Sequence, residues 1–340
     1  MAYQIDYMAV GDGERSGDAI ALRFGNLNGP RSEQVVIIID GGFKESGEAL
    51  VEHVKTHYGT DVVDLVILTH PDCDHASGLT VVLEKLTVNR LAMHRPWEHA
   101  ADIKNSFQNG RISILGLEKK LEESLQYASD IEALAIKKGI PIVEPFQGAA
   151  GFENAVQVLG PSREYYESLL PQMITPSSPP SMLEKALTSI QDFFHIDLLD
   201  DDEDSTSAAN NTSTITLLQV EGHKILFTGD AGKTALNLAA DYAESQGIDL
   251  KDLHIIHAPH HGSKRNLNSK LLKRVHANHA CVSAAKASPK HPSKRITNAL
   301  HKHGTTVHVT RGQCIMYNKD APRLGWSDIS PEPFHTSFAE

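Results

Sequence analysis

Short apolar runs that end in Gly or Asp recur along the first seventy residues of this chain. "YQIDYMAV", "AIALRFG" and "VVIIIDGG" each read as a strand, because aliphatic and aromatic residues fill the run and a turn former closes it. A helix is predicted from about Ser46 to His57, and Val62 to Leu68 reads as the next strand. Neither "VVIII" nor "LVIL" alternates with polar residues, which suits strands covered on both faces. "GLTVVLEKL" then carries apolar residues at helical spacing, so the polar stretch "THPDCDHAS" lies between a buried strand and a helix.

Further on, "VNRLAMH" predicts a short strand and "LEKKLEESLQYASDIEALAIKKG" a helical stretch ending at Gly139. "IPIVEP" and "AVQVLGP" read as strands. The span from Ser162 to Ile196 reads as helical apart from "TPSSPP", and the acidic "LLDDDEDSTSAANNTS" as an exposed loop. "TITLLQV" and "HKILFTGD" predict a hairpin about "EGH", followed by the amphipathic helix "KTALNLAADYAES" and the strand "LHIIHAP". "ACVSA", the helix "PSKRITNALHKHG" and the strands "TTVHVT" and "QCIMYN" close the pattern. Strands in both halves with helices between them predict one α/β domain over residues 1–325, built of two packed sheets covered by helices. A mostly helical insertion is expected at about 162–205, and a flexible tail over 326–340.

A 340-residue chain that is 40% hydrophobic can bury a large core. Its three cysteines, Cys73, Cys281 and Cys314, form no CxxC pair, so neither a disulfide framework nor a cysteine zinc knuckle is expected, and a reducing compartment fits. No basic-then-apolar leader and no apolar run of 18 residues occurs, so the expectation is a cytoplasmic protein with no membrane contact. The net charge of −11 argues against a broadly basic nucleic-acid surface. It leaves open a local site, where bound cations invert the field.

Candidate chemistry concentrates at strand ends. His70, Asp72, Asp74 and His75 fall within six residues and offer nitrogen and oxygen donors suited to zinc, manganese or iron. Cys73, flanked by these candidates, is expected to point away into packing, and the competing reading of the whole stretch is a polar turn. Three other strands end the same way: Asp230 follows "ILFTG", His260 and His261 follow "IIHAP", and Asp40 follows "III" as a hydrogen-bond partner for histidine ligands.

Together, "THPDCDH", "FTGDAG" and "HHGS" resemble the motifs of the metallo-β-lactamase superfamily. Within it the chain is similar to the soluble domain of the bacterial competence DNA-uptake protein and its stand-alone relatives, through "SGDAIALRF", "IIIDGG", Asp72 in place of a histidine, "NNTS", and His291 before Pro292. The resemblance implies a four-layer αββα sandwich with two metal ions at one edge. It also implies His70 and Asp72 on one ion, Asp74, His75 and His261 on the other, and Asp230 bridging both. His261 is preferred to His260 because the superfamily's last ligand histidine usually precedes glycine, although loop geometry could reverse the choice. The superfamily's third-motif histidine has no clean counterpart; His94, Asn210 or Asn211 are candidates for its place, although each reads more readily as a structural or substrate-facing residue.

Two divalent ions, zinc or manganese, would deprotonate a bridging water for attack, with Asp74 and Asp230 as catalytic residues. Ser263, Lys264, Lys290 and His291 are expected to contact an anionic phosphoester, with Arg265, Lys294 and Arg295 nearby. Trp97 and Phe107 are candidates to touch a base. The leading expectation is a phosphodiesterase or nuclease acting on DNA or RNA. The alternatives are hydrolysis of a small phosphorylated or ester metabolite, and a metal-stabilised interaction module that binds protein partners through the helical insertion and acidic loop.

Overall fold

The apolar runs become the central strands of two seven-stranded sheets in the computed structural model, which describes residues 2–11, 13–106, 113–174, 204–326 and 329–336. In chain order the strands are β1 (Ala2–Tyr7), β2 (Ala19–Gly25), β3 (Gln34–Gly41), β4 (Val62–Val63), β5 (Leu65–Ile67), β6 (Thr87–Val88), β7 (Leu91–Ala92) and β8 (Ile142–Val143). The second half adds β9 (Ala150–Gly151), β10 (Val156–Gly160), β11 (Ile215–Val220), β12 (His223–Phe227), β13 (Leu253–His257), β14 (Ala277–Val282), β15 (Thr306–Val309) and β16 (Ile315–Lys319). One sheet runs β16-β1-β2-β3-β5-β7-β8 and the other β15-β14-β13-β12-β11-β10-β9, while β4 and β6 form a separate pair.

The unbroken apolar runs follow from burial on both faces. Ile37 and Ile39 of β3 pack between the sheets with Ile225, Phe227 and Ile255, while Val36 and Ile38 face the helices. Those helices are α1 (Lys44–His53), α2 (Cys73–Lys85), α3 (Ala100–Ile103), α4 (Ile114–Ser124), α5 (Gln126–Lys138) and α6 (Arg163–Ile174). After the short α7 (Ala208–Asn211), a second outer layer of α8 (Lys233–Ser245), α9 (Ser269–Arg274) and α10 (Lys294–Lys302) packs on the other sheet. Three apolar layers between four structural ones make the αββα sandwich that the sequence predicts.

Details differ from the pattern-based expectation. The first helix ends at His53 and continues as one wider turn, Val54–Tyr58, closed by Gly59 in the left-handed region. The long helical stretch is two helices, broken at Leu125, where ψ is 47°. The hairpin turn is carried by Glu221 (φ 52°) and Gly222 (φ 76°), a conformation that suits the twist of the flanking strands. Of the insertion expected at about 162–205, α6 and residues 204 and 205 are described; residues 175–203, with most of the acidic run, lie outside the described residues, as does Phe107. Trp97 is only 5% exposed and packs in the helix-covered core, so it has no face to offer a base. Residues 329–336 lie against β15 and α10, with Glu332 N donating to Val307 O at 2.8 Å and Asn298 Nδ2 to His335 O at 2.7 Å. No described helix is long and apolar enough to cross a membrane.

Glycines let α1, α2 and the end of β3 approach closely, and this positions the first turn of α2. A Cβ on Gly78 would come within 2.0 Å of Gly41 O and 2.5 Å of Phe43 O, and one on Gly47 within 2.3 Å of Gly78 O. Backbone cannot yield as a side chain can. Gly78→Ala is therefore expected to cost about 1–3 kcal/mol, read as a lower denaturation midpoint. An unchanged midpoint would show that this contact does not set the helix position.

Candidate metal centre

Strands β3 and β5 run parallel, as do β12 and β13, and the loops after their carboxyl ends meet at one rim of the sandwich. Backbone bonds from Thr214 N to Thr69 O (3.0 Å) and His260 N to Gly229 O (3.1 Å) tie these loops together. Asp40, at the end of β3, sits in the left-handed region (φ 56°). Its carboxylate accepts from Thr69 N at 2.8 Å and Thr69 Oγ1 at 2.6 Å, and meets His75 Nδ1 at 2.8 Å. The polar stretch after β5 is partly helical rather than wholly loop, because α2 begins at Cys73 and places Asp74 and His75 in its first turn. Asp72 occupies the N-cap position, yet its side chain makes no capping bond. Its carboxylate lies 3.7 Å from His70 Nε2 instead. Cys73 is only half-buried rather than packed inside the core.

Asp230 is the meeting point. Its Oδ1 lies 3.3 Å from His75 Nε2 and 3.9 Å from His261 Nε2, while its Oδ2 lies 3.8 Å from His70 Nε2 and 3.7 Å from His260 Nε2. Asp74 extends the Oδ1 side, 3.6 Å from His261 Nε2. His70 Nε2, His75 Nε2, His261 Nε2 and Asp230 Oδ1 are buried without a hydrogen-bond partner. Buried polar atoms are rarely left so, and several converging on one small volume suit a cation that each would ligate.

Asp18, just before β2, was not singled out from the sequence. It joins His75, Asp230 and His261 in a group whose ligand-type atoms lie within 4.8 Å of one another. Its oxygens approach the other edge of the rings: Oδ1 is 3.4 Å from His261 Nδ1 and Oδ2 is 3.8 Å from His75 Nδ1. The Nε2 atoms, on the opposite edge, face Asp230. Asp18 therefore backs the imidazoles as Asp40 does, fixing ring orientation. His257, also missed, lies 3.3 Å from Asp18 with its Nε2 and stacks on Tyr7 at 5.7 Å between centroids. The sequence signal for Asp18 is "SGD" ahead of a strand. Gly17 is required there, since a Cβ would fall 2.4 Å from Asp74 O.

The charges of this cluster are interlocked. Burial opposes ionisation of Asp230, but His75 and His261 outweigh it and hold the pKa far below the usual carboxylate range. Asp74 likewise is lowered to about 2, burial being overcome by His261 and His75. Burial would keep His261 neutral, yet Asp230 and Asp18 push its pKa up to about 10. His75 is raised well above its ordinary value by Asp230 and Asp40 against the same burial. Protons on two imidazoles thus balance the carboxylates where a cation would otherwise do so.

Other expected residues lie elsewhere. His94 does not reach the cluster: its ring stacks on Tyr166 at 4.4 Å and lies tilted against Phe146 at 4.7 Å, its Nε2 is 3.4 Å from Thr214 Oγ1, and burial pushes its pKa down to about 3. Asn211 Oδ1 accepts from Gly232 N at 3.0 Å, bracing the loop into α8, whereas Asn210 Nδ2 donates to Asp230 Oδ2 at 3.2 Å. His291 is brought to the rim, stacked on His260 at 5.7 Å. Ser263 is buried, its Oγ accepting from Arg265 N at 3.3 Å; Lys264 is half-buried and Lys290 exposed. Much of the histidine content serves other sites. His223, His254 and His279 line up across β12, β13 and β14 with centroids 3.9 and 5.4 Å apart, and His99 is saturated by Glu167 (2.9 Å) and Glu144 (3.0 Å).

The sequence profile of the family described as "Metallo-beta-lactamase superfamily" matches residues 31–286. Among solved structures, the chain is similar to Tm1679, a metal-dependent hydrolase of the beta-lactamase superfamily, at 11% identity and a TM-score of 0.45, covering 94% of this chain and 100% of that one. A diphosphatase from the PhnP family is similar at 10% identity and a TM-score of 0.43, covering 94% and 99% of the two chains. A mutant of the CmlA beta-hydroxylase is similar at 11% identity and a TM-score of 0.46, covering 93% of this chain but only 53% of that one. No curated protein matches the chain.

A divalent cation entering the cluster must displace the protons on His75 and His261. Calorimetry of metal binding in buffers of different ionisation enthalpy is expected to show release of roughly two protons per chain near pH 7, and affinity should weaken as pH falls. Binding with no proton release would contradict the charge arrangement.

Proposed function

We propose a function from one premise: the chain belongs to the metallo-β-lactamase superfamily, whose profile spans residues 31–286. Within that superfamily of metal-dependent hydrolases, the reading is a dinuclear phosphodiesterase or nuclease. The observation that carries the dinuclear part is the division of Asp230, whose two oxygens face separate sets of buried nitrogens. His70, Asp72 and Asp230 Oδ2 would hold one ion; Asp74, His75, His261 and Asp230 Oδ1 would hold the other. A donor set of imidazoles and carboxylates suits zinc or manganese. When bound, such ions acidify water and neutralise charge on phosphoryl oxygens.

The chain's own residues do the remainder. Asp40 holds His75 at Nδ1 and Asp18 backs His261, so the Nε2 atoms stay aimed at Asp230. Asp74, 29% exposed at its side chain, is placed to orient a nucleophile while still contributing to the site. For a protein of net charge −11, attraction of a phosphodiester has to be local. His291 at the rim and the neighbouring Lys290, with Lys264 on the loop after His261, supply groups of the type that contact phosphate. Asp72, where the wider superfamily carries a histidine, supports the likeness to the DNA-uptake domain and so favours a nucleic-acid substrate over a small ester.

Hydrolysis of bis(p-nitrophenyl) phosphate by zinc- or manganese-loaded protein tests this reading. Turnover is expected, with Asp230→Ala lowering kcat/KM by about 10²–10³-fold or more. Activity confined to amide or thioester substrates, or metal binding without turnover of any phosphoester, would overturn it.

A further inference from the structure

The ligand set above leaves the two ions unequal: one has three protein residues besides Asp230, the other only His70 and Asp72. We infer that His260 completes the poorer half, so that the adjacent residues His260 and His261 each serve a different ion. The inference rests on the dinuclear reading and deepens it.

Three observations carry it. The first is position. His260 Nε2 lies 3.7 Å from Asp230 Oδ2, the same oxygen that faces His70 Nε2 at 3.8 Å, whereas His261 Nε2 faces Oδ1. The second is orientation. His260 Nδ1 lies 3.2 Å from Asn266 Oδ1, and Asn266, fully buried, donates through Nδ2 to the backbone oxygens of Asp230 (3.0 Å) and Ala231 (3.1 Å). Because its amide nitrogen is committed to carbonyl oxygens, Asn266 presents an oxygen to His260. The proton then belongs on Nδ1, and the Nε2 lone pair is aimed at the Asp230 side. The contact from Asn210 Nδ2 to His260 Nδ1 is longer, at 3.4 Å, and that amide already donates to Asp230 Oδ2 at 3.2 Å.

The third is backbone. Adjacent side chains on a strand point to opposite faces, so two neighbouring histidines on continued β13 could not share one centre. Instead His260 (φ 50°, ψ 52°) and His261 (φ 55°, ψ 27°) are both left-handed, followed by Gly262 (φ 76°). Left-handed non-glycine residues are costly, and two in succession imply a constraint on where the side chains go. The turn sets the two ring centroids 5.8 Å apart on either side of one carboxylate. His94 is held among aromatic rings, which leaves the role of the missing third-motif histidine open to His260.

Metal content by elemental analysis and zinc or manganese titration, on the whole chain, tests the inference without reference to activity. Wild type is expected to hold two ions. His260→Ala is expected to keep one and to weaken the other at least about tenfold. His260→Gly, which fits the left-handed backbone without strain, should behave alike and separates ligand loss from misfolding. His261→Ala should weaken the other ion. Two ions in wild type with unchanged affinity in His260→Gly would overturn this inference alone. Fewer than two ions in wild type would overturn the dinuclear reading and this inference with it.

Discussion

A carboxylate 3% exposed, ringed by four imidazoles, is the constraint around which this rim is built. Burying the Asp230 charge in a low-dielectric interior is tolerable only if positive charge lies within a few ångströms on each side. Protons on His75 and His261 meet that need in part, and divalent cations would meet it in full. Asp18 and Asp40 bring two more buried carboxylates to the far edges of the same rings, so removing any one member leaves others uncompensated. Such a cluster fixes geometry through mutual dependence, and it ties four strand ends from two sheets into one rigid rim.

The fold meets this demand with local backbone sacrifices. Asp40, His260 and His261 are all left-handed non-glycine residues, and each turns a side chain toward the cluster, Asp40 near the end of β3 and the two histidines in the loop after β13. Strands β3, β5, β12 and β13 hold these positions because they are central in their sheets and covered on both faces. The close approach of Gly41, Gly47 and Gly78 seats α2 so that its first turn delivers Asp74 and His75. Strain at the rim is thus supported by the well-packed layers beneath it.

Much of this was legible from pattern. The unalternating "VVIII" and "LVIL" runs pointed to strands covered on both faces, and polar residues directly after apolar runs marked the rim. What escaped were partners whose meaning arises only when distant segments meet. Asp18 looks like an ordinary turn residue in "SGD", and its contacts are with residues 75, 257 and 261. His257 reads as part of a buried strand, and Asn266 as one more polar loop residue. The roles open to His260 and His261 depend on a left-handed turn that the sequence does not signal, so spacing alone does not divide them. His94 stands at a strand end like the others, yet the structural role that its sequence context favours is the one it takes, because Tyr166 and Phe146, far along the chain, enclose it.

The proposed dinuclear site requires Asp230 to divide between two cations. Anomalous scattering from a crystal of the zinc- or manganese-loaded protein measures this directly. Two peaks are expected, one on the Oδ1 side of Asp230 against Asp74, His75 and His261, and one on the Oδ2 side against His70. A single peak near His70, with none against Asp74 or His75, would contradict that division.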